Sequence, residues 1–295
     1  MSRWKLYCGD NSKLLRQFTD NSIDVCITDP PYQMNIAEWD DELPSSELWA
    51  EVHRVLKPGA WCLSFCSPEL YHRMATYMED GGFIIRDMLT WIVTTKMAKA
   101  NKLKPAHEPI AVAQKPISER TIRENIERWG TGTVCIEGNR IPWNTKTPTY
   151  VSGGHQRRAF GGEVEKSKRQ TTHKVNADPN GRYPSNVVGL FDLYEHQKYF
   201  YAPRVSRKDR GEDNSHPTPK PVDLMEWLVR IYTPEGRRCV LDPYCGSGST
   251  GVAALSCRHD FVGIELNPTY VKIAEDRLTV AEHAELPNTL FDYGP

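Results

Sequence analysis

Residues 242–251 decide the fold, and they read Asp242-Pro243-Tyr244-Cys245-Gly246-Ser247-Gly248-Ser249-Thr250-Gly251. A strand-like run, residues 238–241, precedes this stretch, and a helical segment, residues 252–257, follows it. A second strand-like run then ends at Glu265, which lies 19 residues after Gly246. Strand, glycine-rich turn, helix, strand and terminal acid in this order are typical of the part of a doubly wound α/β sheet that binds an adenosine-bearing cofactor.

The glycines of this turn have the spacing G-x-G-x-x-G, with Gly246, Gly248 and Gly251 at the three positions. Glycine lets the backbone approach a ligand closely, and the helix N-terminus favours the anionic end of that ligand. The carboxylate of Glu265 would accept hydrogen bonds from ribose hydroxyls. A tight turn without a ligand is the alternative, but the flanking strands and the acid favour a cofactor site.

The kind of cofactor follows from what the chain lacks around this turn. A Walker-type phosphate loop is excluded because no Gly-Lys-Ser/Thr sequence is present. Only 30 residues follow Glu265, which are too few for the second half of a dinucleotide fold. A nucleoside cofactor without a pyrophosphate, such as S-adenosylmethionine, needs only this half.

Composition narrows the class of protein. The 295 residues are 39 % hydrophobic with a formal net charge of -1, which excludes a disordered polyelectrolyte. No run approaches the roughly 18 apolar residues that a membrane span needs. Charged residues begin at Arg3, too early for a signal-peptide core, so we expect a cytoplasmic protein. The eight cysteines complete no zinc-binding set, and we expect reduced structural thiols and no metal.

The net charge hides an uneven distribution. Residues 115–210 contain 18 Lys and Arg against 10 Asp and Glu, a net charge of +8. The rest of the chain has 19 basic and 28 acidic residues, a net charge of -9. Residues 141–185 within the basic block are rich in Gly and Pro and show little periodicity, as binding loops do. A solvated face is one interpretation of such a block, and a polyanion partner is at least equally favoured.

Hydrophobic periodicity predicts an α/β sheet. We predict strands at residues 4–7, 24–28, 61–65, 83–91, 109–113, 238–241 and 261–265. We predict helices at residues 11–18 and 45–56, after Pro221, and at residues 252–257.

The predicted strand at 24–28 ends in a rigid tetrad, Asp29-Pro30-Pro31-Tyr32, because both prolines fix φ and lack an N–H donor. The tetrad combines two acceptors, the Asp29 carboxylate and the Pro30 carbonyl, with an aromatic plate, Tyr32. That combination suits a planar base with an exocyclic amine, and an ordinary β-exit turn is the alternative.

The tetrad together with residues 242–248 resembles the amino-methylating DNA methyltransferases, which modify adenine N6 or cytosine N4. With the tetrad first and the glycine turn last, the order is similar to that of their β group. Three other segments resemble the family as well, namely Tyr7-Cys8-Gly9-Asp10, Arg54-Val55-Leu56-Lys57-Pro58-Gly59 and His216-Pro217-Thr218-Pro219-Lys220-Pro221. The chain departs from the usual pattern at Tyr244, where Phe is common, and at Ser249, where Thr is common.

The resemblance implies a doubly wound, mostly parallel sheet of the S-adenosylmethionine-dependent methyltransferase type with a basic irregular insert. Residues 1–115 would form the catalytic half, residues 116–180 a DNA target-recognition insert and residues 181–295 the cofactor-binding half. It implies one set of catalytic residues, namely Asp29, Pro30, Pro31 and Tyr32. It implies a second set that binds the cofactor, namely Asp10, Thr218, Lys220, Asp242, Tyr244, Gly246, Gly248 and Glu265. Thr218 and Lys220 would lie near its methionine end, Asp10 at its adenine and Glu265 at its ribose.

The implied activity is methyl transfer from S-adenosylmethionine to the N6 amine of adenine in double-stranded DNA, after base flipping. Adenine is favoured because the tetrad begins with Asp29, whereas cytosine-N4 relatives more often have Ser there. Cytosine N4, methylation of RNA or of a protein amide, and a non-catalytic DNA-binding module are alternatives. A cognate restriction endonuclease, and a monomer or a homodimer, are left open. Of two further segments, His107-Glu108 could line the site but is interpreted as a structural pair. Tyr199-Phe200-Tyr201 could stack on bases but is interpreted as core aromatics.

Overall fold

The structure is a computed structural model that describes residues 3–33, 42–93, 105–141, 149–152, 173–176, 178–189 and 217–284. The chain divides into two compact units, a larger one from Met1–Cys135 with Ser185–Pro295 and a smaller one from Ile136–Pro184. Within the described ranges, no helix has the length and apolar character that crossing a membrane requires.

The larger unit is built on an eight-stranded sheet. The strands of the described chain are β1 (Trp4–Cys8), β2 (Ile23–Thr28), β3 (Leu56–Phe65), β4 (Ile84–Ile92), β5 (His107–Gln114), β6 (Thr149–Ser152), β7 (His173–Asn176), β8 (Val187–Gly189), β9 (Cys239–Asp242) and β10 (Asp260–Glu265). The order across the sheet is β1-β10-β9-β2-β3-β5-β4-β8. All neighbours pair in parallel except β5, which is antiparallel to both β3 and β4. The predicted doubly wound, mostly parallel sheet is therefore confirmed.

Helices connect these strands and cover the sheet. They are α1 (Asn11–Leu14), α2 (Ser46–Val55), α3 (Tyr71–Asp80), α4 (Ile122–Trp129), α5 (Val222–Tyr232), α6 (Ser249–Ser256) and α7 (Pro268–His283). Helix α2 begins where Ser45 accepts a hydrogen bond from the Leu48 N–H, and α4 begins at a capping box between Thr121 and Glu124. These caps satisfy N–H groups that the first helical turn leaves without partners.

The core lies on both faces of the sheet, because alternate residues of a strand point to opposite sides. On β2, Val25 and Ile27 join one apolar cluster and Cys26 joins the other. The first cluster is covered by α5, α6 and α7, and the second by α2 and α3. All eight cysteines are free thiols, and several of them, such as Cys26, are buried in these clusters.

All seven predicted strands are present, each within a few residues of its expected ends. The largest difference is at β3, which begins at Leu56, directly after α2, rather than at Trp61. Its first residues are held in the sheet because the Lys57 ammonium binds the buried Asp24 carboxylate at 2.6 Å. Gly59 permits this path, since its φ is +80° and a Cβ there would lie 2.6 Å from Asn125 Nδ2.

The helices were predicted less completely than the strands. The predicted helix at 252–257 begins earlier, at Ser249, because the left-handed Gly248 (φ +81°) starts the first turn directly after the glycine-rich stretch. Helices α3, α4 and α7 were not predicted. Helix α7 has a weak apolar stripe whose buried members are Val271, Ala274 and Leu278, which explains why its periodicity was missed.

The smaller unit contains the antiparallel pair of β6 and β7 and an isolated bridge between Ile141 and Arg182. The Arg140 guanidinium binds Glu137 at 2.8 Å and Asp178 at 3.1 Å. The predicted insert at 116–180 differs from this unit at its start, since the unit begins at Ile136. Its role at DNA stays a prediction.

Candidate active site

Four acidic residues lie along the carboxyl edge of the sheet, although they are far apart in the sequence. Asp10 follows β1, Glu265 ends β10, Asp242 ends β9 and Asp29 follows β2. These four strands are consecutive neighbours in the sheet. The chain winds outward in one direction from β2 and in the other from β9, so the two strands flank the switch point where doubly wound sheets bind ligands. Strand β9 pairs directly with β2, with Val25 opposite Val240 and Cys26 opposite Leu241.

The glycine turn is held in place by the carboxylate of Glu265. Its Oε2 accepts a hydrogen bond from the Gly246 N–H at 2.9 Å, and its Oε1 accepts one from the Asn267 N–H at 2.8 Å. Burial raises the pKa of Glu265, and the backbone N–H groups act against that rise. Each carboxylate oxygen keeps further lone-pair capacity for a ligand hydroxyl.

The turn also brings the amino end of α6 to this edge. Gly248 begins the helix, and within the described chain no side chain caps that end. Close packing of α6 requires glycine at its third residue, because a Cβ on Gly251 would lie 2.6 Å from Leu278 and from the Phe261 ring. The free N–H groups of such a helix end favour a carboxylate. Glu265 can accept hydrogen bonds from hydroxyl groups, and the uncapped amino end of α6 beside it can bind a carboxylate. S-adenosylmethionine carries both kinds of group, so this arrangement fits it.

Asp242 joins the glycine turn to the tetrad strand. Its Oδ1 accepts hydrogen bonds from the Thr28 hydroxyl at 2.7 Å and from the Tyr244 N–H at 3.1 Å. Its Oδ2 accepts one from the Thr250 hydroxyl at 2.6 Å. Burial raises the pKa of Asp242 to about 6, although these hydrogen bonds act to lower it. Asp242 is 2 % exposed, and these hydrogen bonds fix the glycine turn to β2. Its predicted contact with the cofactor stays a prediction.

The raised pKa of Asp242 predicts a pH-dependent stability. The folded protein holds a proton on Asp242 that the unfolded chain has released, so this residue lowers the free energy of unfolding as pH rises from about 4 to about 6. Asp242→Asn removes that titration and keeps a side chain that can pair with both threonines. We expect the stability of this variant, relative to wild type, to increase between pH 4 and pH 7 in urea unfolding. A stability difference that is constant across this range would contradict the assignment.

The tetrad strand ends with Asp29 between two donors. The Tyr32 hydroxyl donates to its Oδ1, and the Lys220 ammonium donates to its Oδ2. Pro30 is buried, and it fixes the chain between Asp29 and Tyr32. The Asp29 side chain stays 22 % exposed, so a ligand can reach it.

Lys220 occupies an enclosed position behind Asp29. The residue is 9 % exposed. Its Nζ lies 3.8 Å from Glu108 Oε2, 5.4 Å from the centre of the Tyr32 ring and 5.0 Å from the centre of the Phe65 ring. A cation over aromatic faces between two carboxylates is held by electrostatic attraction from all four groups.

The charges of this cluster shift each other's protonation. Burial raises the pKa of Asp29, and Lys220 acts against that rise. Burial acts to lower the pKa of Lys220, but Asp29 and Glu108 outweigh it, so the ammonium keeps its proton. The two rises therefore have different main causes, since burial raises the pKa of Asp29 whereas the neighbouring carboxylates raise that of Lys220 against its burial.

The other residues that the sequence predicts to bind the cofactor differ in their exposure and contacts. Asp10 caps α1, because its Oδ1 accepts from the Ser12 N–H at 2.9 Å and from the Ser12 hydroxyl at 2.6 Å. Tyr244 is half-buried at the turn, Thr218 is exposed, and His216 lies outside the described residues. The structure brings Lys220 to Asp29, and its place near the methionine end of a cofactor stays a prediction.

Sequence reasoning missed several residues that build the site. Glu108, interpreted as part of a structural pair, lies at the Lys220 ammonium. The antiparallel direction of β5 explains this, because such a strand starts at the edge where its parallel neighbours end. Asn11 donates to the Pro243 carbonyl at 3.0 Å, and Arg277 donates to the Ser247 carbonyl at 2.5 Å. Nothing local in the sequence marks these two contacts.

The amino-acid sequence of the chain matches a known family of DNA-modifying enzymes. The model of the N6/N4 methyltransferase family, described as DNA methylases, matches residues 23–276. The type II methyltransferase M.BglII of Bacillus subtilis is 28 % identical over 288 residues, which cover 92 % of this chain and 67 % of that protein. The DNA adenine methyltransferase YhdJ of Escherichia coli is 27 % identical over 285 residues, which cover 93 % of this chain and 82 % of that protein.

A solved structure shares the fold. The PvuII DNA methyltransferase, which is cytosine-N4-specific, superposes with a TM-score of 0.60 and 16 % sequence identity. The match covers 99 % of this chain and 90 % of that one. At this identity the likeness concerns the fold alone.

Proposed function

Since the chain belongs to the N6/N4 DNA methylase family, we propose that it methylates the N6 amine of adenine in double-stranded DNA. The observation that carries this proposal is the junction of β2 and β9. There the Thr28 hydroxyl donates to the Asp242 carboxylate at 2.7 Å, so Asp29 and the glycine turn lie at one switch point. A reacting amine at Asp29 would then be close to a cofactor that the turn holds.

S-adenosylmethionine is the cofactor of this DNA methyltransferase, and when bound it supplies a methyl group on a positively charged sulfur. Glu265 would bind its ribose hydroxyls, and the amino end of α6 would favour its carboxylate. Asp10 would bind the adenine amine, and Tyr244, Gly246 and Gly248 would form the surrounding cradle.

The chemical task of Asp29 follows from the weakness of an aromatic amine as a nucleophile. The Asp29 carboxylate and the Pro30 carbonyl would each accept one amine hydrogen, which turns the nitrogen lone pair out of the ring plane. Positioning and electrostatic stabilisation then supply the catalysis. The N–C bond would form as the S–C bond of the cofactor breaks and leaves its electron pair on sulfur, and the Asp29 carboxylate would accept the proton that the amine loses. Such a displacement requires no covalent enzyme intermediate, so we assign no cysteine to one.

The target base must leave the duplex before it can reach Asp29. Extrusion costs a few kcal/mol. Stacking on Tyr32 would offset much of this cost, since a base on an aromatic side chain contributes about 1–3 kcal/mol.

The choice of adenine over cytosine rests on Asp29 at the start of the tetrad, and the name of the similar YhdJ protein supports it. We expect mass spectrometry of nucleosides from DNA treated with the protein and labelled S-adenosylmethionine to detect N6-methyladenine. N4-methylcytosine in place of N6-methyladenine would support the cytosine alternative, which the fold of the PvuII enzyme shows to be compatible with this architecture.

Methylation of RNA or of a protein amide is the second alternative. Asp29 argues against the amide, because enzymes of that class commonly begin the tetrad with Asn. A filter-binding assay with labelled cofactor on duplex DNA, RNA and protein would distinguish these substrates. We expect label on DNA alone.

We further propose that the basic block at residues 115–210 contacts DNA phosphates. Its net charge of +8 against -9 elsewhere supports this proposal. Phosphate contacts release counterions, so DNA affinity should fall steeply with salt. A nearly flat plot of log affinity against log salt, measured by fluorescence anisotropy, would contradict this role.

The cellular setting belongs to the same proposal. We propose a cytoplasmic monomer or homodimer that acts where DNA is accessible. A cognate restriction endonuclease would recognise the same DNA sequence. Sequencing of DNA exposed to the protein would identify that sequence from the methylated positions.

A further inference from the structure

The enclosed Lys220 holds a position that the methyl-transfer chemistry above does not use. Its ammonium binds Asp29 on one side and lies 3.8 Å from Glu108 on the other. The side chains of Lys220 and Glu108 are only 10 % and 11 % exposed, whereas that of Asp29 is 22 % exposed. Lys220 and Glu108 therefore lie behind the carboxylate that a target amine would approach.

From this arrangement we propose that Lys220 and Glu108 are positioning residues that jointly control whether Asp29 is ionised. Lys220 favours the carboxylate that accepts the amine hydrogens, and Glu108 competes with Asp29 for the same ammonium. This inference rests on the proposed function, because it assigns the groups that control the reacting carboxylate.

The need for such control comes from the position of Asp29. A carboxylate removed from water tends to take up a proton, and the neutral carboxyl group is a weaker acceptor of a hydrogen bond from the amine. A cation held in direct contact opposes this tendency. A second carboxylate near the same cation weakens its effect on the first, so the two neighbours of Asp29 act in opposite directions.

Among the described residues, the other titratable groups that face Asp29 are Tyr32, Cys66 and Asp242. Burial raises the pKa of Tyr32 well above its ordinary value and that of Cys66 to about 12, so both stay neutral below pH 9. Asp242, with a pKa of about 6, does change charge in the working range. The measurement is therefore repeated in the Asp242→Asn background.

The test reads the titration of Asp29 directly, without substrate. Protein labelled with ¹³C at the aspartate side-chain carboxyl carbon is followed by NMR from pH 4 to pH 9, and Asp29→Asn identifies the Asp29 signal. We expect Lys220→Met to move the Asp29 midpoint upward by about one pH unit or more. We expect Glu108→Gln to move it downward and Lys220→Arg to leave it near the wild-type value.

Opposite movements in the two variants distinguish this role from a merely structural one, since a loosened site would move both midpoints in the same direction. Lys272→Met is the matched control, because Lys272 is exposed on α7 and pairs with Asp276. If Lys220→Met does not fold, Glu108→Gln carries the test, and an unchanged or raised midpoint in that variant overturns the proposal. An unchanged midpoint in folded Lys220→Met also overturns it.

The same variants are then compared in single-turnover methylation at saturating cofactor and DNA. We expect the acidic limb of the rate profile to move in the same directions as the NMR midpoints. A wild-type protein that methylates no DNA would contradict the proposed function and leave the titration result intact. A methylating enzyme whose Asp29 midpoint ignores both neighbours would contradict this inference alone.

Discussion

Asp29→Ala is expected to lower the rate of methyl transfer by roughly 10²–10³-fold or more, because it removes a preorganised electrostatic partner of the reacting amine. The variant also removes the carboxylate that we propose accepts the amine proton. Cofactor affinity should change little, since Asp29 follows β2 whereas Glu265 and the glycine turn belong to β10 and β9. Single-turnover rates with labelled S-adenosylmethionine, together with calorimetric titration of the cofactor, measure both quantities.

Two further variants make this result interpretable. Asp276→Ala removes an exposed aspartate on α7 and should leave the rate unchanged. Asp29→Asn keeps the shape of the side chain and one carbonyl acceptor, so we expect its rate to lie between those of wild type and Asp29→Ala. Turnover by a folded Asp29→Ala protein at the wild-type rate would refute the role of Asp29.

Glu265→Gln is expected to weaken S-adenosylmethionine binding by about 10- to 100-fold. A hydrogen bond to a charged group contributes about 1.5–3 kcal/mol, and each 1.4 kcal/mol is a factor of ten in affinity. The substitution also replaces one acceptor oxygen with an NH2 group, so the hydrogen bond from either the Gly246 or the Asn267 N–H is lost. The rate at saturating cofactor should fall much less than the affinity.

The pH dependence gives an independent check on Glu265. Burial raises its pKa, so the ionised acceptor is lost as pH falls through a value above that of an exposed glutamate. Wild-type affinity for the cofactor should therefore decline on acidification, and that decline should be weaker in Glu265→Gln. Glu275→Gln, on the solvent side of α7, is the matched control. Equal affinities of Glu265→Gln and wild type would rule out the ribose contact.

Local sequence patterns predicted most of the elements that form the site. The glycine turn at 246–251 and the prolines after Asp29 both lie directly after predicted strands, and the structure has strands β9 and β2 there. Backbone constraints explain this success, because glycine and proline act on their own φ and on adjacent residues. The weakly patterned helix α7 was missed because its burial depends on packing against α6 and β1 rather than on a strong stripe of its own.

The partnership of Asp29, Lys220 and Glu108 could not be predicted in this way. Lys220 is 191 residues from Asp29 in the chain, and the two meet in an ion pair. Glu108 reaches the same place because β5 runs antiparallel and so begins at the carboxyl edge. The sequence suggested that Lys220 lies near a cofactor, but only the order and direction of the strands bring it to the tetrad.

The sequence by itself determined the chemistry of this protein, namely a glycine turn with its acid, an acceptor-bearing proline tetrad and a basic block. These are local properties of residue type and spacing. The tertiary structure decided which of these groups meet and in what charge state. Strands β2 and β9 are neighbours only because distant segments of the chain meet in the sheet. The burial that raises the pKa of Asp29 and Asp242 also depends on such contacts, which hydrophobic patterning does not specify.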